Sequence, residues 1–158
     1  MNLTLYVAGI PAPQGSKRAF VIAGKARLVE MSKRVKPWRR CVQVETRKAM
    51  VAFGHLMLSG PVSVRLEFVM PRPKRTKHPA CTTKPDLDKL IRATLDGLSG
   101  VAIEDDAQVT RLSASKRFAR ESGIENPGCL ISIEAVDDGV EVGPRVMSSP
   151  WLDGRPPE

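Results

Sequence analysis

The sequence predicts an α+β domain in which a mixed β-sheet carries two main helices, and three observations predict it. Stretches of alternating polarity and stretches of helical periodicity follow one another in the order βββαβαββ, which leaves room for only one or two parallel crossovers. At 158 residues, of which 42% are hydrophobic, the chain is long enough for one real core and short for two. Only 4% of residues are aromatic, so that core is built from Val, Leu, Ile, Ala and Met, and a nucleic-acid surface here does not rest on base-stacking platforms.

Each element follows from its own stretch. LTLYVAG at 3–9 alternates and reads as a strand, stopped by IPAPQGSKR, where Pro11, Pro13 and Gly15 forbid regular structure. AFVI and ARLVE, separated by AGK, read as a short hairpin. From about Lys36 to Met57, Trp38, Cys41, Val42, Glu45, Ala49 and Phe53 recur at helical spacing, with Pro37 tolerable in a first turn. Residues 61–70 alternate as a strand, and PRPKRTKHPACTTK after them is a Pro-broken basic loop. Leu87, Leu90, Ile91, Thr94, Leu95 and Leu98 form an apolar stripe that predicts a helix over 87–98, with Gly97 or Gly100 to end it. AQVTRLSASKRF and GCLISIEAV (128–136) read as two strands, expected to be antiparallel neighbours joined through ARESGIENP. Residues 1–136 then make one domain, and 137–158 a weakly ordered tail.

The formal net charge of +8 is concentrated in the first half. Up to Lys84 the many Lys and Arg residues meet only Glu30, Glu45 and Glu67. A field of this sign favours polyanions, nucleic acid first, although a solubilising surface would have the same composition. Cys41, Cys81 and Cys129 are odd in number, widely spaced and lack any C-x-x-C pairing, which argues against a disulfide framework or zinc knuckle. No leader-like opening and no apolar run of membrane-spanning length is present, so a soluble, cytoplasmic protein is expected, with no membrane partner.

Against this basic background, KPDLDKLIRATLDGLSGVAIEDDAQV (84–109) gathers acids. Asp86 is a natural N-cap and Asp88 sits in the positively polarised first turn, which accounts for the pair structurally. Yet an N-cap has non-helical backbone angles, so both carboxylates can also turn towards one point. Glu104, Asp105 and Asp106 follow where the chain returns to begin a strand, and a helix start and a strand start can be neighbours across such a connection. Clustered carboxylates repel unless a cation relieves them, and Mg²⁺ is typically shared between one or two carboxylates, waters and a phosphate. Lys89, Arg92 and Lys116 are placed to neutralise developing charge. His55 and His78 are isolated, and neither G-x-x-x-x-G-K-[ST] nor G-x-G-x-x-G occurs. Oxygen-only chemistry on a basic surface points to a Mg²⁺-dependent nuclease.

KPDLDKLIRATLDGL followed by EDDAQVTRLSASK resembles the RusA-type Holliday-junction resolvases, endodeoxyribonucleases of bacteria and their phages. The element order is similar over most of 1–136. The resemblance implies that Asp86, Asp88 and Asp106 bind the metal, with Asp105 assisting, and that Mg²⁺ is the cofactor, for which Mn²⁺ can substitute. Where the family usually has a basic Lys four residues after the second aspartate, this chain has Arg92, and where the family commonly has Asn immediately after that aspartate, it has Lys89. Arg keeps the charge but not the point-charge geometry. Lys116 matches another basic family position, and Lys17 and Arg18 lie where family members contact DNA. With Lys74, Arg75, Lys77 and Lys84 they make up the expected DNA-binding set. The resemblance further implies a homodimer that nicks a four-way DNA junction symmetrically for recombination and repair. The competing readings are a non-catalytic nucleic-acid-binding protein, a nuclease of forks or flaps, and an inactive descendant in which Lys89 replaces the metal.

Overall fold

The computed structural model describes residues 2–15, 17–22, 25–30, 33–120 and 126–137, and within 17–30 the backbone alone. The expected tail, Trp151 with it, lies outside the described residues beyond Asp137. Six strands and two helices follow in the predicted order: β1 (Asn2–Ala8), β2 (Lys17–Ile22), β3 (Lys25–Glu30), α1 (Val35–Phe53), β4 (Val62–Met70), α2 (Leu87–Leu98), β5 (Val109–Phe118) and β6 (Gly128–Ala135). Strands β2 and β3 form a separate antiparallel hairpin, with Lys17 opposite Glu30. The other four make a mixed sheet in the order β1-β6-β4-β5.

Strands β5 and β6 are therefore not the antiparallel neighbours that the sequence suggests. β4 lies between them, parallel to β5 and antiparallel to β6. The burial explains the order. β4 hides Val62, Val64, Leu66, Phe68, Val69 and Met70 and suits a central position, whereas β5 buries only Phe118 and suits an edge. Helix α2 makes the single crossover that a parallel β4–β5 pair requires.

One face of the sheet carries the core. Leu3, Leu5 and Val7 of β1, Ile131 and Ile133 of β6 and the inward residues of β4 pack with Val35, Trp38, Val42 and Met50 of α1 and Leu90, Ala93 and Leu98 of α2. The buried stripe of α1 departs from the expected one: Cys41 and Phe53 are exposed, while Thr46 and Met50 are buried. The helix also ends before Met57, because Gly54 takes a left-handed conformation (φ 65°) and His55 N–H bonds the Met50 carbonyl at 2.8 Å.

The helices meet closely. Trp38 Nε1 donates to Thr94 Oγ1 (3.1 Å), which donates to the Leu90 carbonyl (2.9 Å). Arg39 pairs with Asp96 beside them. At Gly97 a Cβ would stand 2.9 Å from Val42 Cβ and 3.3 Å from the Arg39 carbonyl, so glycine is what lets α2 approach α1. All three cysteines are free thiols, and burial pushes the Cys129 thiol well above its ordinary range, leaving it an inert core group. Among the described residues no helix is long and apolar enough to cross a membrane.

Candidate active site

The basic stretch after β4 ends in Thr83–Lys84–Pro85, whose Lys84–Pro85 peptide bond is cis, and delivers the chain to Asp86. Asp86 is extended (φ −68°, ψ 142°) and is the N-cap residue of α2, but its carboxylate accepts no bond from the first turn. Its Oδ2 instead stands 3.2 Å from Lys89 Nζ, both side chains 48% exposed. Asp88, in the first turn, is exposed and its carboxylate engages no hydrogen bond or ion pair among the described residues. Helix capping, the local explanation for Asp-Leu-Asp, is thus not how Asp86 uses its side chain.

Two neighbouring segments fix this turn. Lys116 of β5 is half-buried, and its ammonium donates to the carbonyls of Thr83 and Pro85, each at 2.8 Å. The Pro-rich segment after β1 docks from the other side, where Gln14 N–H donates to the Lys89 carbonyl at 3.0 Å. Between these segments lies an open cleft of about 510 Å³, lined among others by Pro11, Pro13, Arg34, Lys84, Asp86 and Lys89. It therefore offers one carboxylate and three cations to a ligand.

The second acidic group is built differently. Asp105 is the N-cap of one 3-10 turn, Asp106–Gln108, and its Oδ1 accepts from Ala107 N–H at 2.8 Å. Gln108 completes a capping box: its Oε1 accepts from the N–H groups of Glu104 (2.7 Å) and Asp105 (3.0 Å). Its Nε2 donates to the carbonyls of Leu58 (3.1 Å) and Gly60 (2.8 Å), tying the acidic turn to the connection before β4. Asp105 is thereby committed to structure, while Asp106 is exposed and its carboxylate makes no hydrogen bond or ion pair among the described residues.

The two acidic groups lie at opposite ends of α2. Asp86 precedes the helix, whereas Ile103, two residues before Asp105, bonds back to Leu98 at its end (3.5 Å). Twelve helical residues separate these points by about 18 Å. Accordingly, among the described residues no three Asp, Glu, His or Cys side chains gather where they could hold a metal ion, and the sequence expectation that helix start and strand start are neighbours is not met within the chain. At the Asp86 end stand Asp88, Lys89, Lys84 and Lys116. Arg92 lies one turn beyond Asp88 and is exposed, as are Lys74, Arg75 and Lys77 on the preceding stretch. Lys17 and Arg18 are on β2, their side chains outside the described residues.

The donors at the helix start are carboxylate oxygens, the chemistry a hard divalent cation takes, and the cations around them suit a phosphate. Sequence reasoning overlooked Gln108, although D-x-x-Q is itself a capping-box signature, and Arg34 and Gln14, for which no local pattern exists.

Two comparisons bear on this arrangement. The sequence profile described as Endodeoxyribonuclease RusA matches residues 10–126, which spans both acidic groups and every described element but β1 and β6. A protein of Bacillus subtilis (strain 168), described as uncharacterized protein YqaN, is 29% identical over 140 residues, covering 79% of this chain and 92% of its own length.

Proposed function

The chain belongs to the RusA endodeoxyribonuclease family, and from that premise we propose that it is a Mg²⁺-dependent, structure-selective endonuclease that resolves four-way DNA junctions by paired nicks. The observation that carries this reading is the state of the acids: Asp86, Asp88 and Asp106 present exposed carboxylates that no backbone N–H caps, on a chain of net charge +8. A bound Mg²⁺ would polarise the phosphodiester and lower the pKa of the attacking water. The chain's own residues do the rest. Asp86 and Asp88 supply oxygen ligands at the start of α2, and Asp106 supplies a third. Arg92 and Lys89, beside them, neutralise charge developing on the phosphate. Lys17, Arg18, Lys74, Arg75, Lys77 and Lys84 contact phosphates, so affinity falls with salt and carries little sequence information.

The separation of the acidic groups bears on assembly. Since about 18 Å of helix divides Asp86 from Asp106, one chain does not close all three carboxylates around one ion. We take the active species to be a homodimer in which the Asp86 end of one subunit meets the Asp106 end of the other. A two-fold dimer then has two equivalent centres, matching the two strands nicked in a four-way junction.

The test is cleavage of a synthetic mobile junction, a fork and a linear duplex, with Mg²⁺ or EDTA, by wild type and Asp88→Asn. Symmetric Mg²⁺-dependent nicking of the junction, lost in the variant while binding persists, is the expected result. Faster cutting of the fork would move the substrate assignment, and binding without cutting in any condition would leave a DNA-binding protein.

A further inference from the structure

Lys116 would be taken from sequence for one more phosphate contact, but its geometry points elsewhere. Two of its three N–H donors are already spent, at 2.8 Å each, on the carbonyls of Thr83 and Pro85, the residues that bring the chain to Asp86. Its position is fixed independently by the sheet, where it pairs with Phe68 near the C-terminal end of β4, a residue with no exposed surface. The stretch it holds needs such an anchor. Residues 71–80 are almost wholly exposed and contain no helix or strand, and Cys81 is the one buried residue between Met70 and Leu90. The carbonyls on both sides of Lys84 are thus tied to a rigid strand, and Lys84 itself is left to face the cleft that also contains Asp86.

We infer that Lys116 is a positioning residue: it sets the turn from which Asp86 and Asp88 present their carboxylates to a divalent cation, and it does not contact DNA phosphate. This rests on the nuclease reading above. A latch of this kind acts as an outer-shell partner does, by orienting ligands whose own chemistry is unchanged, and loss of such partners typically weakens metal binding about 10–100-fold. A phosphate contact behaves otherwise. Removing one weakens binding to all sequences alike and lowers the salt slope by about 1.

The experiment uses the full chain. Mn²⁺ binding without DNA is followed by the electron paramagnetic resonance of free Mn²⁺, and junction affinity is measured in EDTA at several salt concentrations, for wild type, Lys116→Met and Lys116→Arg. Lys116→Met keeps the aliphatic stem and loses the donors; Lys116→Arg keeps a charged donor pair. The expected result is Mn²⁺ affinity reduced about 10-fold or more in Lys116→Met and largely restored in Lys116→Arg, with junction affinity and salt slope unchanged in both. Lys116→Gln, a milder loss, is measured if Lys116→Met does not fold, and the same fall in Mn²⁺ affinity is expected. Mn²⁺ binding like wild type in the folded loss variant overturns the inference, as does weaker junction binding with a shallower salt slope. If wild type binds Mn²⁺ but cuts no DNA, the nuclease reading fails and the latch is still decided by the Mn²⁺ titration. If wild type binds no Mn²⁺, both fall.

Discussion

At the scale of single residues, adjacent acids have opposite tasks. Asp105 and Asp106 are indistinguishable by composition, yet the carboxylate of Asp105 accepts a backbone N–H and that of Asp106 accepts none. Asn caps a helix about as well as Asp, so Asp105→Asn keeps the 3-10 turn and the position of Asp106. Asp106→Asn keeps the turn as well but, on the proposed metal reading, loses an anionic ligand. Junction-cleavage rates are therefore expected to fall only a few-fold in Asp105→Asn and by more than about 100-fold in Asp106→Asn, beyond the range typical of an outer-shell partner. Equal losses in the two variants would mean that Asp105 also binds the metal, as its sequence neighbourhood suggests. The acids themselves were legible in the sequence because a basic chain has little reason to concentrate carboxylates. How each carboxylate is used was not, since D-x-D at 86–88 reads as a cap and makes no cap bond, whereas D-x-x-Q at 105–108, not read as a cap from the sequence, makes both bonds of a capping box.

At the scale of elements, what decides the site's geometry is how α2 seats on its neighbours. The apolar stripe from Leu87 to Leu98 marked this helix to the residue, because its periodicity is strong and its ends coincide with Asp86 and the turn after Leu98. Its closeness to α1 was not legible. Gly97 reads in sequence as a helix end, whereas it is a buried contact residue inside the last turn. Ala would add helix propensity of roughly 1 kcal/mol, but its Cβ would stand 2.9 Å from Val42 Cβ and 3.0 Å from the Val42 Cγ1 methyl, and overpacking of this kind costs about 1–3 kcal/mol. Gly97→Ala is thus expected to lower stability to urea, and Val42→Ala, which removes the opposing methyls, to recover part of the loss in the double variant. Strict additivity in that cycle would place the strain elsewhere. The order of strands was hidden for a related reason. Pairing partners are set by burial across the whole sheet, and the loop between β5 and β6 gives no sign that β4 lies between them.

At the scale of the whole molecule, the parallel β4–α2–β5 crossover has a consequence for catalysis. In such a unit the helix runs back along the strands, so its two ends lie at opposite ends of the strands, and Asp86 and Asp106 inherit that separation. Sequence spacing suggested that they meet, because a connection drawn on paper has no length. If the centre is completed between subunits, a chain carrying Asp86→Asn and Asp88→Asn and a chain carrying Asp106→Asn are each inactive alone. In a mixed dimer one centre receives every substitution and the other receives none. Random exchange puts half of the dimers in this mixed form, so equimolar mixing is expected to restore about a quarter of wild-type centres. Each mixed dimer has one working centre, so the product is a junction nicked on one strand, with paired nicks absent. Centres built within single chains predict no recovery at any ratio. The measurement is single-turnover junction cleavage after mixing and subunit exchange, read as nicked against resolved product.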